Sequence, residues 1–253
     1  MHRSLLAFLV VVLSPASFAL EEVPFVTTPD NVTRAMLELA RVGRDDYVID
    51  LGSGDGRIVI EAARRYGARG LGVEKQAEFR EQDLFETDLA RATVITMYLL
   101  PEFNMKLRPK LLELKPGTRV VSHDWDMGDW PADKTVTLEV PDKAVGFEKR
   151  SRVHLWIVPA RIEGEWCGTG PARGMRLAIR QNFQNVHGDF STGAKTEAFV
   201  GQLEGNVLRR ARISDGAFEL TADRRRLIMQ RSGNPLARPP ALAFVPAGRE
   251  GCR

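Results

Sequence analysis

Residues 48–60 read VIDLGSGDGRIVI. An apolar run ends on Asp50, glycines follow at 52, 54 and 56, and an apolar-periodic segment begins at once. A strand, a tight turn and a helix are thereby dictated in succession, because the glycines admit backbone angles and close approaches that side chains forbid. In an open parallel sheet, ligands sit beyond the carboxyl ends of the strands, where this turn falls. A dinucleotide site would read G-x-G-x-x-G, with a pyrophosphate facing the helix N-terminus. Here the spacing is G-S-G-D-G, and Asp50 and Asp55 flank the turn. Two carboxylates there repel a phosphate and suit a ligand with a cationic or hydroxyl-bearing end.

The surrounding segments repeat the strand–helix alternation. TTPDNVTRAMLELARVG is predicted to be a helix with Thr28 as N-cap, Pro29 at its first position and Gly43 as its stop. DYVIDL is a short buried strand, and RIVIEAARRYG a helix with Arg64 and Arg65 in its last turn and Gly67 as C-cap. ARGLGVE is a second strand, and ATVITMYLL, continuously apolar, a central parallel one. PEFNMKLRPKLLELKPG reads as helix interrupted at Pro109, TRVVSHDW as strand, and TVTLEV and RVHLWIV as an antiparallel pair at one edge. This alternation predicts an α/β fold: a doubly wound, mostly parallel sheet with helices on both faces, over 20–159.

From 160 to 253 the pattern changes to short alternating runs punctuated by Gly, Asn and Asp, which predicts a small antiparallel β meander or barrel. Trp166, Phe183, Phe199, Phe218 and Phe244 are its expected core, with a ligand cup as the alternative, and NPLARPPALAFVPAGREG its expected irregular end. From Arg161 onward fifteen Lys/Arg stand against nine Asp/Glu, so this part carries the basic excess. The whole-chain charge of only +3 does not call for a nucleic-acid partner. Residues 1–19 read as a signal peptide: His2 and Arg3 precede an apolar stretch from Leu5 to Leu13, then small residues at Ser17 and Ala19. That stretch is too short to span a bilayer, and no later segment is apolar enough, so the mature chain is expected to carry no transmembrane segment and to be exported, to a periplasm. Cys167 and Cys252, an even pair without metal spacing, suit one disulfide there.

DLGSGDGR resembles motif I of the class I S-adenosylmethionine (SAM) methyltransferases. Further matches follow. Glu74 ends the second strand, Asp83 stands in EQDLF, and the stretch from ATVITMYLLPEFN to SHDWDMGDW resembles the fourth- and fifth-strand region of a bacterial group related to seven-strand protein-lysine methyltransferases. The likeness covers about residues 24–158 and leaves out the β-rich extension. It implies SAM as cofactor, with Asp50, Gly52, Ser53, Gly54, Asp55 and Gly56 around its methionine and ribose, Glu74 on the ribose hydroxyls and Asp83 on the adenine amino group. It also implies a protein or small-molecule methyl acceptor. One departure stands out: only Lys75, Gln76 and Ala77 separate Glu74 from EFRE, too few for a crossover to a third parallel strand.

Methyl transfer from a sulfonium asks for alignment and an unprotonated amine. Candidate catalytic residues lie where the fourth and fifth strands end: Tyr98, Asn104 and His123, with Ser122, Asp124 and Trp125 nearby. Tyr98 could orient an amine or be core, Asn104 could bind or cap a helix, and His123 could be a base or merely polar lining. No metal-ligand cluster, G-x-S-x-G elbow or Walker sequence is present in the chain. Two readings stay open: a SAM-dependent methyltransferase acting on protein lysine, and an exported binding or structural protein that keeps the fold without turnover. Removal of residues 1–19 predicts a mature N-terminus at Leu20 in the native host; mass spectrometry finding Met1 on soluble protein would refute it.

Overall fold

The computed structural model describes residues 26–73, 83–144, 148–193, 195–231, 240–249 and 251–252. The glycine turn sits at the centre of a sheet. β1 (Tyr47–Leu51) pairs in parallel with β2 (Arg69–Val73) on one side and β3 (Val94–Met97) on the other. β4 (Arg119–His123) continues the parallel set beside β3. β5 (Lys134–Glu139) and β6 (Arg150–Ile157) form the antiparallel edge pair, giving the order β2-β1-β3-β4-β6-β5 among the described residues. The expected third-strand candidate, 78–81, and Glu74 before it lie outside the described residues.

Helices α1 (Asp30–Leu39) and α2 (Arg57–Tyr66) cover one face, packing on Val48, Val94, Val121 and Val153. Helix α3 (Pro101–Leu111) and residues 84–92 cover the other, over Ile49, Ile95, Val120 and Trp156. Burial on both faces is why the central strands are continuously apolar rather than alternating. Three local expectations are corrected. α1 starts at Asp30 with Pro29 in the cap position: the Thr33 N–H donates to the Pro29 carbonyl at 2.8 Å, while the Thr28 carbonyl is held by the Arg57 guanidinium. It stops before Gly43: Arg41 adopts φ 50°, and the N–H groups of Arg41 and Val42 return to the carbonyls of Glu38 and Leu37, a Schellman closure built without glycine. α3 runs through Pro109 to Leu111; a proline in the last turn forgoes a single backbone bond and does not break the helix.

Among the described residues the second part is an eight-stranded barrel. Strands β7 (Gly164–Thr169), β8 (Met175–Asn182), β9 (Asn185–Thr192), β10 (Lys195–Glu204), β11 (Val207–Ile213), β12 (Gly216–Asp223), β13 (Arg226–Arg231) and β14 (Leu242–Pro246) are each antiparallel to the next, and β14 pairs with β7 to close the ring. Closure removes sheet edges, and an eight-stranded barrel is just wide enough to be filled by side chains. Trp166, Phe190, Phe199, Phe218 and Phe244 fill it, with Phe199 and Phe218 edge to face at 5.2 Å. The interior is thus a packed core. Gly188 makes room for it, since a Cβ there would stand 2.4 Å from the Phe199 ring. The Pro-rich end, expected to be irregular, instead supplies the closing strand at residues 242–246. Cys167 on β7 is bonded to Cys252.

Phe183 is a further correction. It lies outside the barrel core, at the tip of the β8–β9 turn, with φ 53°. Its ring stacks on Trp130 at 6.0 Å, and the Arg108 guanidinium covers it at 5.7 Å. Gln184 beside it is 1% exposed; its side chain accepts from the Trp130 indole N–H at 3.1 Å and donates to the Pro131 carbonyl at 2.7 Å. The barrel therefore grips the chain that follows β4. Gln184→Ala leaves the buried Trp130 indole N–H unpaired, at about 1–3 kcal/mol, and removes the donor from the part-buried Pro131 carbonyl. Urea denaturation should register a loss of that size; an unchanged midpoint would mean that both groups find other partners.

Candidate functional site

Leu51 pairs with Met97, and Met97 with Ser122. The next residues along these three parallel strands are Gly52, Tyr98 and His123, so the glycine turn, the tyrosine and the histidine stand abreast, about 5 Å from strand to strand. The turn is held from below. The N–H groups of Gly52 and Ser53 both donate to the Val73 carbonyl, at 2.9 and 3.0 Å, and Gly56 N–H donates to the Ser53 carbonyl at 2.9 Å. Glycines 52, 54 and 56 take φ of 77°, 54° and 76°, a region that L side chains rarely adopt. At Gly52 a Cβ would also meet Leu99 at 2.9 Å. Ser53 is buried, and its hydroxyl has no hydrogen-bond partner among the described residues.

The two acidic residues of the motif take different positions. Asp50 is 2% exposed and accepts from the Thr96 hydroxyl at 2.6 Å, across the β1–β3 boundary. Asp55 is clasped by Arg57, which donates to both carboxylate oxygens and from its own N–H. That hydrogen bonding holds the Asp55 carboxyl below the usual carboxylate range. Asp83 is exposed and opens a turn, its carboxylate accepting from Phe85 N–H at 2.9 Å. Glu74 lies outside the described residues.

Beyond β3 and β4 the candidates separate by role. Tyr98 lies on the His123 ring, centroids 3.9 Å apart, and burial, then the Asp124 charge, raise its pKa. His123 is 1% exposed; its Nε2 shares a hydrogen bond with the Ser151 hydroxyl at 2.9 Å and lies 3.5 Å from the Asp124 carboxylate. Burial lowers its pKa to about 4, with Asp124 opposing and Lys143 assisting. A buried, neutral imidazole under Tyr98 is a support for that ring rather than an open base. Asn104 is fully buried on the opposite face, where its amide donates to Ser122 Oγ and the carbonyls of Trp125 and Asp126. It ties α3 to the chain after β4. Thr96, Arg57, Ser151 and Lys143 escape the sequence reading; only Thr96, a polar residue inside an apolar strand, carried a signal.

The folded-state pKa of His123 lies below its ordinary value of 6.5. Folding therefore favours the unprotonated ring, and the stability this contributes is complete above about pH 6.5 and lost as pH falls toward 4. His123→Gln, which can still bond Ser151, should flatten the decline of Tm across that window. Parallel wild-type and variant curves would show that another group governs it.

The ANTKMT methyltransferase domain family matches residues 68–134. A protein-lysine N-methyltransferase of Saccharolobus islandicus (strain REY15A) is 41% identical over 138 residues, covering 46% of this chain and 86% of that protein. The adenine nucleotide translocase lysine N-methyltransferase of Mus musculus is 32% identical over 130 residues, 43% of this chain; the match spans little more than half, 56%, of the mouse protein. Among solved structures, an RNA methyltransferase from Salinibacter ruber in complex with S-adenosyl-L-homocysteine is 47% identical, covering 54% of this chain and 96% of that one, with a TM-score of 0.49. On the extent and identity of the Saccharolobus islandicus match, the chain belongs to the protein-lysine N-methyltransferase family.

Proposed function

We propose that this protein transfers a methyl group from SAM to the side-chain amine of a lysine in a protein, at the carboxyl end of the sheet between the 52–56 turn and Tyr98. The register that sets Gly52, Tyr98 and His123 side by side carries the reading. The residues present fit the donor: the turn is free of side chains at 52, 54 and 56, a buried Ser53 hydroxyl has no partner among the described residues, and the Asp50 carboxylate is fixed at the strand end. Those residues would hold its methionine and ribose portions. Bound SAM supplies a methyl carbon on a positively charged sulfur, so an amine lone pair forms the N–C bond as the C–S bond breaks and a neutral thioether departs.

The chain's own residues align the acceptor and shield it from water. The Tyr98 hydroxyl stays protonated, since burial raises its pKa, and serves to orient the amine by hydrogen bonding. His123 fixes the Tyr98 ring from beneath. An ammonium must shed its proton before it attacks, and neither group is a base matched to that proton, so it passes to solvent. Export to a periplasm is the further part of the proposal. The apolar segment of residues 5–13 supports it, as does the Cys167–Cys252 bond, a kind that persists in oxidising compartments. The barrel then acts as a recognition or tethering module.

The test is transfer of labelled methyl from SAM to an extract of the native host, with the modified residue identified by mass spectrometry. Label on protein lysine is expected; label confined to RNA or to small molecules would overturn the proposal. Gly54→Val, strained at φ 54°, should abolish SAM binding in calorimetry. Tyr98→Phe should keep SAM affinity and lower kcat by roughly tenfold or more. SAM binding by Gly54→Val equal to wild type would place the donor elsewhere.

A further inference from the structure

We propose that Asp124 is the carboxylate that receives the ammonium of the acceptor lysine, and that Lys143 occupies this place in the free protein; the inference rests on the lysine reading above. Asp124 follows His123 at the carboxyl end of β4, and it is one of the described non-glycine residues with positive φ, at 62°. Such a conformation is uncommon outside glycine and persists where surrounding bonds over-determine it. Here they do: the Asp124 N–H donates to the Arg152 carbonyl at 2.7 Å, and Asp124 Oδ1 accepts from the Arg152 N–H at 2.9 Å. With the backbone and Oδ1 engaged, Oδ2 is presented to a cation, and Lys143 Nζ lies 2.7 Å from it.

Lys143 arrives from the turn between β5 and β6, which reaches this end of the sheet because β6 runs antiparallel to β4. Its ammonium also donates to the Arg150 carbonyl at 2.6 Å. The two side chains are 13% and 15% exposed, so the pair is largely withdrawn from water. Contacts run without a gap from the proposed transfer site outward: Tyr98 on His123 at 3.9 Å, His123 to Asp124 at 3.5 Å, Asp124 to Lys143 at 2.7 Å. A lysine ammonium seated on a shielded carboxylate beside an aromatic ring is the arrangement a lysine substrate needs on arrival, still charged. A shielded carboxylate also discriminates against neutral acceptors, which cannot repay its desolvation. Lys143 keeps that carboxylate paired until a substrate lysine displaces it.

The pair could instead simply pin the β5–β6 turn, and the two roles predict different signs. If it is a pin, removing either partner frees the same turn, and both changes shift the Michaelis constant the same way. If Lys143 is a surrogate, Lys143→Met removes a competitor and Asp124→Asn removes the receptor, so the shifts are opposed. The measurement uses n-butylamine, the bare lysine side chain, as acceptor at saturating SAM. Lys143→Met should lower KM, and Asp124→Asn raise it, each by about fivefold or more with SAM affinity unchanged. If n-butylamine is not turned over, its inhibition constant against labelled host protein is read instead and must move in the same opposed directions. Shifts of one sign, or no shift, with lysine methylation intact overturn this inference alone. Absence of transfer to lysine by wild type and both variants overturns the lysine reading and this inference with it.

Discussion

The Val73 carbonyl, at the end of β2, accepts from both Gly52 N–H and Ser53 N–H, and the site grows outward from that bifurcated contact. Two successive donors turned to one acceptor force the chain to reverse immediately after β1. The reversal brings φ to 77° at Gly52 and delivers the start of α2 only a few residues later. The placement of the glycine turn and of the residues that flank it follows from this anchoring. Ser53 is pressed inward, where Gly72 must lack a side chain to admit it: a Cβ there would stand 2.4 Å from Ser53 Oγ. Asp55 reaches the first turn of α2 and is captured by Arg57, which in turn holds the Thr28 carbonyl. One backbone acceptor thus sets the turn, the helix and the incoming segment before α1.

A second constraint comes from the barrel. The chain between β4 and β5 carries Trp125, Met127 and Trp130, and it is held from two sides. Asn104 binds it from α3, through the Trp125 and Asp126 carbonyls, and Arg108 binds the Met127 carbonyl at 2.9 Å. From the barrel, Phe183 and Gln184 hold Trp130 and Pro131. Each clamp satisfies buried polar groups that would otherwise be costly, so the segment beside the acceptor end is specified by the whole chain and not by its own sequence. Here an aromatic at a hairpin tip serves contact between the two parts, whereas pattern alone assigns it to the nearer core.

That difference marks how far the sequence can be read. Strand–helix alternation, the antiparallel edge pair, the Gly67 cap and the glycine turn depend on local chemistry, and they were legible. So was the barrel, because alternating runs with turn residues report burial on one face. Residues 242–246 were not: prolines at 239, 240 and 246 mask a strand that forms only because β7 and β13 need a partner to close the ring. Arg41 ends α1 in a conformation usually left to glycine, so Gly43, the local stop signal, lies beyond the true end of the helix. At the site, position within a strand was legible while partnership was not. Asp50, Tyr98 and His123 could be placed at strand ends, but Ser151 and Lys143 meet His123 and Asp124 across 28 and 19 positions of chain, a distance no local pattern encodes.

Electrostatics join these pieces. His123 is neutral because burial outweighs the opposing pull of Asp124, whereas at Tyr98 burial and then the Asp124 charge both act to keep the proton on. The carboxyl end of β3 and β4 therefore presents two uncharged rings and one carboxylate matched by the Lys143 cation. A lysine ammonium placed there as proposed is held by charge at Asp124 and has the neutral His123 and Tyr98 rings beside it further in. Loss of the proton is favoured by that progression, since desolvation penalises the charged amine while the neutral amine loses little. A charged base in place of His123 would hold the ammonium back as an ion pair. The burial of His123, which makes it a poor base, thereby keeps the place beside Tyr98 suited to an amine that must lose its charge before it attacks.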